Sequence, residues 1–93
     1  MSANAPLEAV EQQQEVDSIV STDDVEVNGV WYEDVVVRFT ESEVQAVQND
    51  ESRLSHLITL METFGFTCLV PTRANEFDGM LPFRRTLDEE YQF

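Results

Sequence analysis

Apolar and polar residues alternate most clearly in the two short runs that flank Asn28-Gly29. β-Branched and aromatic residues on both sides of Asn-Gly are the strongest local signal for a hairpin, because a type I′ turn needs a positive φ at both central residues. The pattern therefore predicts a hairpin in which Val27 pairs with Val30 and Val25 pairs with Tyr32.

The second strand of this hairpin is apolar on both of its faces. Alternation of side chains places one group on one face: Trp31, Val35, Val37 and Phe39. The opposite face takes Val25, Val27, Val30, Tyr32 and Val36. A bulge at Glu33-Asp34 would gather most of these residues on one side. Even then Trp31 and Val36 would face away, so both faces need cover.

A helical period begins after the hairpin. The residues Thr-Glu-Ser-Glu fit a capping box, with Thr40 as N-cap and Glu43 reaching back to it, so a helix is expected from Glu41. The apolar positions that then follow helical spacing are Val44, Val47, Leu54, Leu57, Ile58, Met61 and Phe64. Because Asn49 and Asp50 are good N-cap residues, the pattern leaves open a break at this point or one long helix.

Gly65 fits the residue that ends this helix, and the run FTCLV at 66–70 predicts a third strand that stops at Pro71. The order of elements is then strand, strand, helix, strand. We expect an α+β fold, a small ββαβ domain with an antiparallel hairpin and one helix, kinked or straight, packed on the sheet.

The two ends of the chain differ from this predicted core at 23–71. Residues 1–22 are acidic and show no clean apolar stripe, which predicts a flexible arm. Residues 72–93 form an extension that is too apolar for a solvated tail. Residues 86–89 fit a second capping box, with Leu87 and Tyr91 on one side of a short helix. The extension either covers the second sheet face, which we favour, or docks on a partner.

Charge narrows the classes of partner. The 93 residues make a single domain and carry 19 acidic and 5 basic side chains, a net charge of −14. Residues 1–34 hold nine of the carboxylates and no basic residue. Phosphate binding needs lysine or arginine, so direct binding of nucleic acid and binding to an anionic membrane are disfavoured. A basic protein surface is the natural partner, although charge alone also serves solubility.

Side chains that could carry chemistry are few. Cys68 lies in an apolar run, which favours a buried thiol, and His56 on the helix is expected to be structural. Arg84 and Arg85 could bind a partner's carboxylate, but the acids at 88–89 are close enough to neutralise them locally. No ligand set for a metal and no motif for a cofactor is present. We therefore expect no enzyme activity, no metal and no cofactor.

Two functions from different classes fit this sequence. One is an acidic regulator or inhibitor that docks on a basic protein surface, including one that normally holds nucleic acid, whose phosphates the carboxylates would mimic. The other is a structural component of a larger assembly such as a virion, with its arm and tail against neighbouring subunits. Acid on the folded part favours the first, and acid in a mobile arm favours the second. Small acidic chains of this kind are common among phage-encoded proteins, which this one resembles in general character only.

The candidate contact residues are the aromatic and apolar side chains of the hairpin, bordered by an acidic rim. The contact residues are Trp31, Tyr32 and Val36. The rim consists of Asp23, Asp24, Glu26, Glu33 and Asp34. The N-terminus shows no signal-peptide pattern, which indicates a cytoplasmic protein or an assembly formed in the cytoplasm. The sequence leaves open whether the chain also forms a homo-oligomer.

Overall fold

A four-stranded antiparallel sheet with helices packed on it forms the body of the protein. The computed structural model describes residues 5–87. The elements in chain order are α1 (Ala5–Glu11), β1 (Val16–Val27), β2 (Val30–Phe39), α2 (Glu41–Asn49), α3 (Ser52–Glu62), β3 (Thr67–Cys68), a 3₁₀ turn (Ala74–Glu76) and β4 (Met80–Thr86). The predicted α+β class is confirmed.

The strand order in the sheet is β1-β2-β4-β3, which includes a fourth strand that the sequence did not predict. Residues 80–86 of the extension are neither a cover over a sheet face nor a docking tail, because they form a strand between β2 and β3. Pro82 is tolerated there because its carbonyl accepts the N–H of Leu69 at 3.0 Å. The N and C=O of one residue point to the same side of an antiparallel strand, so the nitrogen of Pro82 also faces β3 and not β2. Pro82 therefore costs no hydrogen bond to β2, and β3 itself pairs only with Phe83 and Arg84.

The hairpin agrees with its prediction. Asn28 and Gly29 have φ values of 52° and 83°, as a type I′ turn requires, and Val27 is opposite Val30. The alternative bulge at Glu33-Asp34 is wrong, since the register with β1 runs through both residues without a shift. The irregularities lie in β1 instead, between Val16 and Ser18 and between Ile19 and Ser21.

Residues 16–22, expected to belong to a flexible arm, are the first half of β1. Val16 is buried and Ile19 packs against the core, so both side chains lie on the same face of the sheet. They are three positions apart instead of an even number, because the irregularities in β1 interrupt the alternation of its side chains. Residues 5–11 of the predicted arm form α1, whose Val10 is fully buried in the core. The predicted arm is therefore wrong for residues 5–11 and 16–22.

The helical region contains a break, which is one of the two alternatives that the sequence left open. A helix starts at Glu41, as predicted, but Thr40 makes no side-chain cap and Glu43 does not reach back to it. The Glu43 carboxylate instead accepts two hydrogen bonds from Arg53, at 2.7 and 2.9 Å, and so joins α2 to α3. Asp50 Oδ1 accepts the backbone N–H of Ser52 at 3.1 Å, which satisfies the start of α3 and explains the interruption.

The end of α3 has the expected glycine. Gly65 has a φ of 88°, and the N–H groups of Gly65 and Phe66 bond to the carbonyls of Glu62 and Met61, which is a Schellman motif. The helices and β-strands enclose one core, in which the largest fully buried side chains are Phe66, Phe83, Leu57, Met61 and Leu81.

The last part of the predicted extension lies beyond the described residues. Thr86 ends β4, and Leu87 follows it as a buried residue whose N–H bonds to the carbonyl of Trp31 at 2.9 Å. Residues 88–93, which include half of the second capping box and Tyr91, fall outside the part of the chain that the structure describes.

Candidate partner-binding surface

The sheet divides the predicted contact residues between its two faces. We call the side under the helices the helix face, marked on β2 by Trp31, Glu33, Val35, Val37 and Phe39. We call the other side the open face; its apolar members are Val25, Val27, Val30, Tyr32, Val36, Met80 and Pro82. Tyr32 and Val36 thus share a surface, as predicted from alternation. Trp31 does not belong to it.

The open face remains accessible in the described part of the chain. Val27 is 41% exposed, Val30 38% and Met80 38%, and Val25, Tyr32 and Val36 are half-buried. Single exposed apolar residues need no explanation, but contiguous exposed apolar residues mark an interaction surface. The open face is therefore the first component of a candidate partner-binding surface.

One ion pair crosses the open face. Arg84 on β4 binds both carboxylate oxygens of Asp34 on β2, at 2.6 and 2.9 Å, and its guanidinium lies 4.6 Å from the ring centre of Tyr32. The hydrogen bonds from Arg84 hold the pKa of Asp34 below its usual value, against a smaller opposing effect of burial. Asp34 is thus already neutralised within the chain, which weakens its predicted part in an acidic rim.

A second ion pair lies directly behind the first, on the helix face. Arg85 Nε donates to Glu33 Oε1 at 2.6 Å, and the guanidinium is 5.8 Å from the ring centre of Phe66. Glu33 is 6% exposed, and it is the buried charged residue of the described chain. The prediction that Glu33 belongs to an exposed rim is therefore wrong, because the side chain points into the protein.

The remaining acidic residues of the rim are on β1. Asp23 and Glu26 are exposed, and so is Asp24; Asp17 adds a fourth exposed carboxylate to the same strand. The first basic residue in the sequence is Arg38, so α1 and β1 carry no positive charge of their own. The negative potential of the molecule is concentrated on this side of the sheet.

A groove lies between α1 and β1. Its helix side is formed by Leu7, Glu8 and Glu11, and its strand side by the segment from Ile19 to Thr22, with a volume of about 560 Å³. Its walls are mixed, with apolar side chains beside two exposed carboxylates. Grooves of this size can hold a side chain or a small ligand.

The residues considered for chemistry have ordinary surroundings. His56 is exposed, with Nε2 3.8 Å from a Glu15 oxygen. Cys68 is half-buried and packs against the core, with Sγ 3.2 Å from the Val70 carbonyl oxygen. Among residues 5–87 no cluster of histidine, cysteine and acidic side chains could hold a metal ion. None of the helices in this range is long and apolar enough to cross a membrane.

Comparison with known proteins gives no relative: no family model, no curated protein and no solved structure matches the chain.

Sequence reasoning missed the partners of the two arginines. It assigned Arg84 and Arg85 to the acids at 88–89, whereas β4 aligns them with Asp34 and Glu33 across the sheet. A signal was present, since Glu-Asp in one β-rich segment and Arg-Arg in another are complementary when two strands run antiparallel.

Proposed function

We propose that the protein is a non-enzymatic binding protein that docks its acidic side on a basic surface of another protein and so regulates or inhibits that protein. The observation that supports this proposal most directly is the concentration of exposed carboxylates on α1 and β1 without a basic side chain on either element. Such a surface attracts a cationic partner at long range and disfavours acidic ones.

The two functions that the sequence left open differ in whether the acidic region is structured or mobile. All nine carboxylates of residues 1–34 lie within the described residues, on α1, β1, β2 and the turn at 12–15. Carboxylates fixed on a sheet can match fixed basic groups on a partner without a large ordering cost, unlike those of a mobile arm. Their placement therefore favours the regulator or inhibitor over the assembly subunit.

The open face supplies the apolar part of the contact. Charges at a rim raise the rate of association, whereas desolvated aromatic and aliphatic groups supply most of the affinity. Tyr32, with Arg84 stacked on its ring, is a rigid amphipathic group of the type that dominates interfaces. Asp23 on β1 is directly opposite Asp34, so the acidic strand and the open face border each other.

A capture experiment with charge-matched variants tests the proposal. The tagged full chain and the double variant Asp23→Asn/Glu26→Gln are used to isolate partners from the native cell, and affinities for the purified partner are measured. The control is Glu62→Gln/Glu76→Gln, which removes two exposed carboxylates from other parts of the chain. We expect the first double variant to bind at least about tenfold more weakly and the control to bind within about twofold of the wild type.

The salt dependence of the same complex separates the two candidate functions. Raising NaCl from about 50 to about 200 mM should weaken a complex with a basic surface steeply, because the added ions screen exposed charges. A partner with an acidic surface, or an affinity that does not change with salt, would contradict docking through the acidic side. It would instead favour an assembly subunit that packs its open face on a neighbour.

A further inference from the structure

We propose that β1 accepts an extended, cationic segment of the partner as an additional strand, with one basic side chain of that segment in the groove between α1 and β1. This inference rests on the proposed function and specifies how the partner is held. The partner class is an extended peptide segment with lysine or arginine at alternate positions.

The edge of the sheet at β1 is suited to pairing. In the described chain, β1 pairs with β2 alone. The pair next to a two-residue turn, Val27 and Val30, exchanges hydrogen bonds, and bonded pairs recur at every second residue. Thr22 and Glu26 occupy the alternate positions, so their backbone N–H and C=O groups point away from β2, towards the side where a strand could be added.

Bulges, proline and lysine, which often protect an edge strand, are absent from the second half of β1. Proteins protect edges with bulges, proline, lysine or very short strands. The register shifts of β1 occur before Ser21, and the stretch from Ser21 to Val27 is regular and contains no proline. The side chains that border this stretch are carboxylates. Charge is thus its protection, and it repels acidic strands but attracts basic ones.

The groove provides a place for a side chain of the added strand. In strand addition the backbone bonds supply affinity, and pockets for alternate side chains supply specificity. Leu7, Ile19 and Val20 give an apolar wall for the stem of a lysine or arginine, and Glu8 and Glu11 are placed for its charged end. The groove reaches Ser21 and Thr22, which are the first residues of the regular part of the edge.

A second copy of the chain is a poorer occupant of this edge. Two β1 strands side by side would bring Asp23 and Glu26 of each copy close to carboxylates of the other, and like charges across strands are destabilising. The total charge of −14 on each copy opposes the same contact. Charge complementarity therefore favours a cationic segment.

The test uses a fluorescent peptide of about seven residues with alternating arginine and threonine, a usual strand length. Its binding to the full chain is measured by anisotropy, and compared with two N-methylated forms of the same peptide. One form is methylated at the odd residues and the other at the even ones. Only one set of peptide N–H groups faces β1 in a strand pair, so one form should bind at least about tenfold more weakly than the other.

Matched variants of the protein locate the site. Thr22→Pro removes an outward N–H without removing a bond to β2, and Thr22→Val retains that N–H. We expect only the proline variant to lose peptide affinity, by about tenfold or more. Glu8→Gln/Glu11→Gln should weaken binding of the arginine peptide, whereas the control Glu51→Gln/Glu62→Gln, also in exposed positions, should not.

The outcomes separate this inference from the function on which it rests. Equal binding by both methylated peptides, or no peptide binding, overturns strand addition; the function is judged separately, by the Asp23→Asn/Glu26→Gln capture experiment. If Thr22→Pro does not fold, the two methylated peptides still test strand addition with the wild-type protein. A wild-type dimer in light scattering that Thr22→Pro converts to a monomer would also overturn the proposal, in favour of a second copy at this edge.

Discussion

Two ion pairs on neighbouring positions of β2 and β4 have the same chemistry and opposite surroundings. Glu33–Arg85 and Asp34–Arg84 each have a shortest N–O distance of 2.6 Å. The side chains of the first pair are 8% and 15% exposed, and those of the second are 25% and 30% exposed. The exposed pair has two hydrogen bonds and the buried pair has one between Arg85 Nε and Glu33 Oε1, so the main contrast between them is their burial on opposite faces of the sheet.

Burial changes what each pair contributes. An exposed pair adds little to stability because water already solvates both charges. Inside the protein, loss of one partner leaves the other charge poorly solvated, which is costly even where the intact pair adds little. We therefore expect loss of one partner to cost more stability on the helix face than on the open face. The pair on the open face is free to serve an interface, where Arg84 also covers Tyr32.

The largest expected effect is on the buried pair. Glu33→Ala should lower the free energy of unfolding by about 3 kcal/mol, because Arg85 loses a carboxylate in a site with little access to water. Asp34→Ala should lower it by less than about 1 kcal/mol. Urea denaturation of both variants measures the difference, and equal losses would show that burial does not distinguish the pairs.

A smaller difference in stability is expected between alanine variants of two adjacent valines. Val37 is fully buried on the helix face and Val36 is half-buried on the open face. Val37→Ala should cost about 2 kcal/mol of stability, through lost burial and the cavity left behind. Val36→Ala should cost less than about 1 kcal/mol. Partner affinity should follow the reverse order, and a Val36→Ala variant with unchanged affinity would place the contact elsewhere.

A substitution in the turn that sets the register should have a comparable or smaller effect on stability. Asn28 has a φ of 52°, so Asn28→Val forces a β-branched residue into the left-handed region, at a cost of about 1–2 kcal/mol. Asn28→Gly is the control, because glycine adopts this conformation without strain. Thermal denaturation compares the two. A valine variant as stable as the wild type would mean that the turn does not fix which residues occupy each face.

The smallest effect is the pH dependence of the exposed pair. Because the Arg84 hydrogen bonds lower the pKa of Asp34 below 3.8, the folded state is favoured by the ionised carboxylate. This contribution is complete above the unfolded-state pKa and is lost as pH falls through the lower folded-state pKa. The difference in Tm between wild type and Asp34→Asn should therefore shrink in acid. Arg84→Gln should remove the same pH dependence, and its persistence there would assign it to another group.

Elements with local signals could be predicted from the sequence. The Asn28-Gly29 turn, the helix start at Glu41 and the end at Gly65 each depend on the conformations that a few consecutive residues favour. The division of β2 between two faces also followed from simple alternation. Of the candidate site, Tyr32 and Val36 were correctly placed together on one face.

Elements that depend on distant partners could not be predicted in the same way. In β1 the irregularities place Val16 and Ile19 three apart, which hides the strand period of two. In β4 a proline is atypical of an inner strand, and Pro82 is acceptable because its nitrogen points towards the side of the short strand β3. Alternation already places Glu33 on the face of Val35 and Val37, but the burial of its carboxylate there depends on Arg85, 52 positions along the chain.

The two edges of the sheet also limit how many partners one molecule can hold. At the far edge β3 spans two residues, and the stretch of β4 next to it contains Pro82, whose ring offers no N–H to a new strand. Within the described residues, β1 is thus the one long edge on which a strand can pair. If a strand is added there, the stoichiometry is one to one. Growth of the sheet into a fibre would then depend on the unpaired edge of the added strand, and not on this protein.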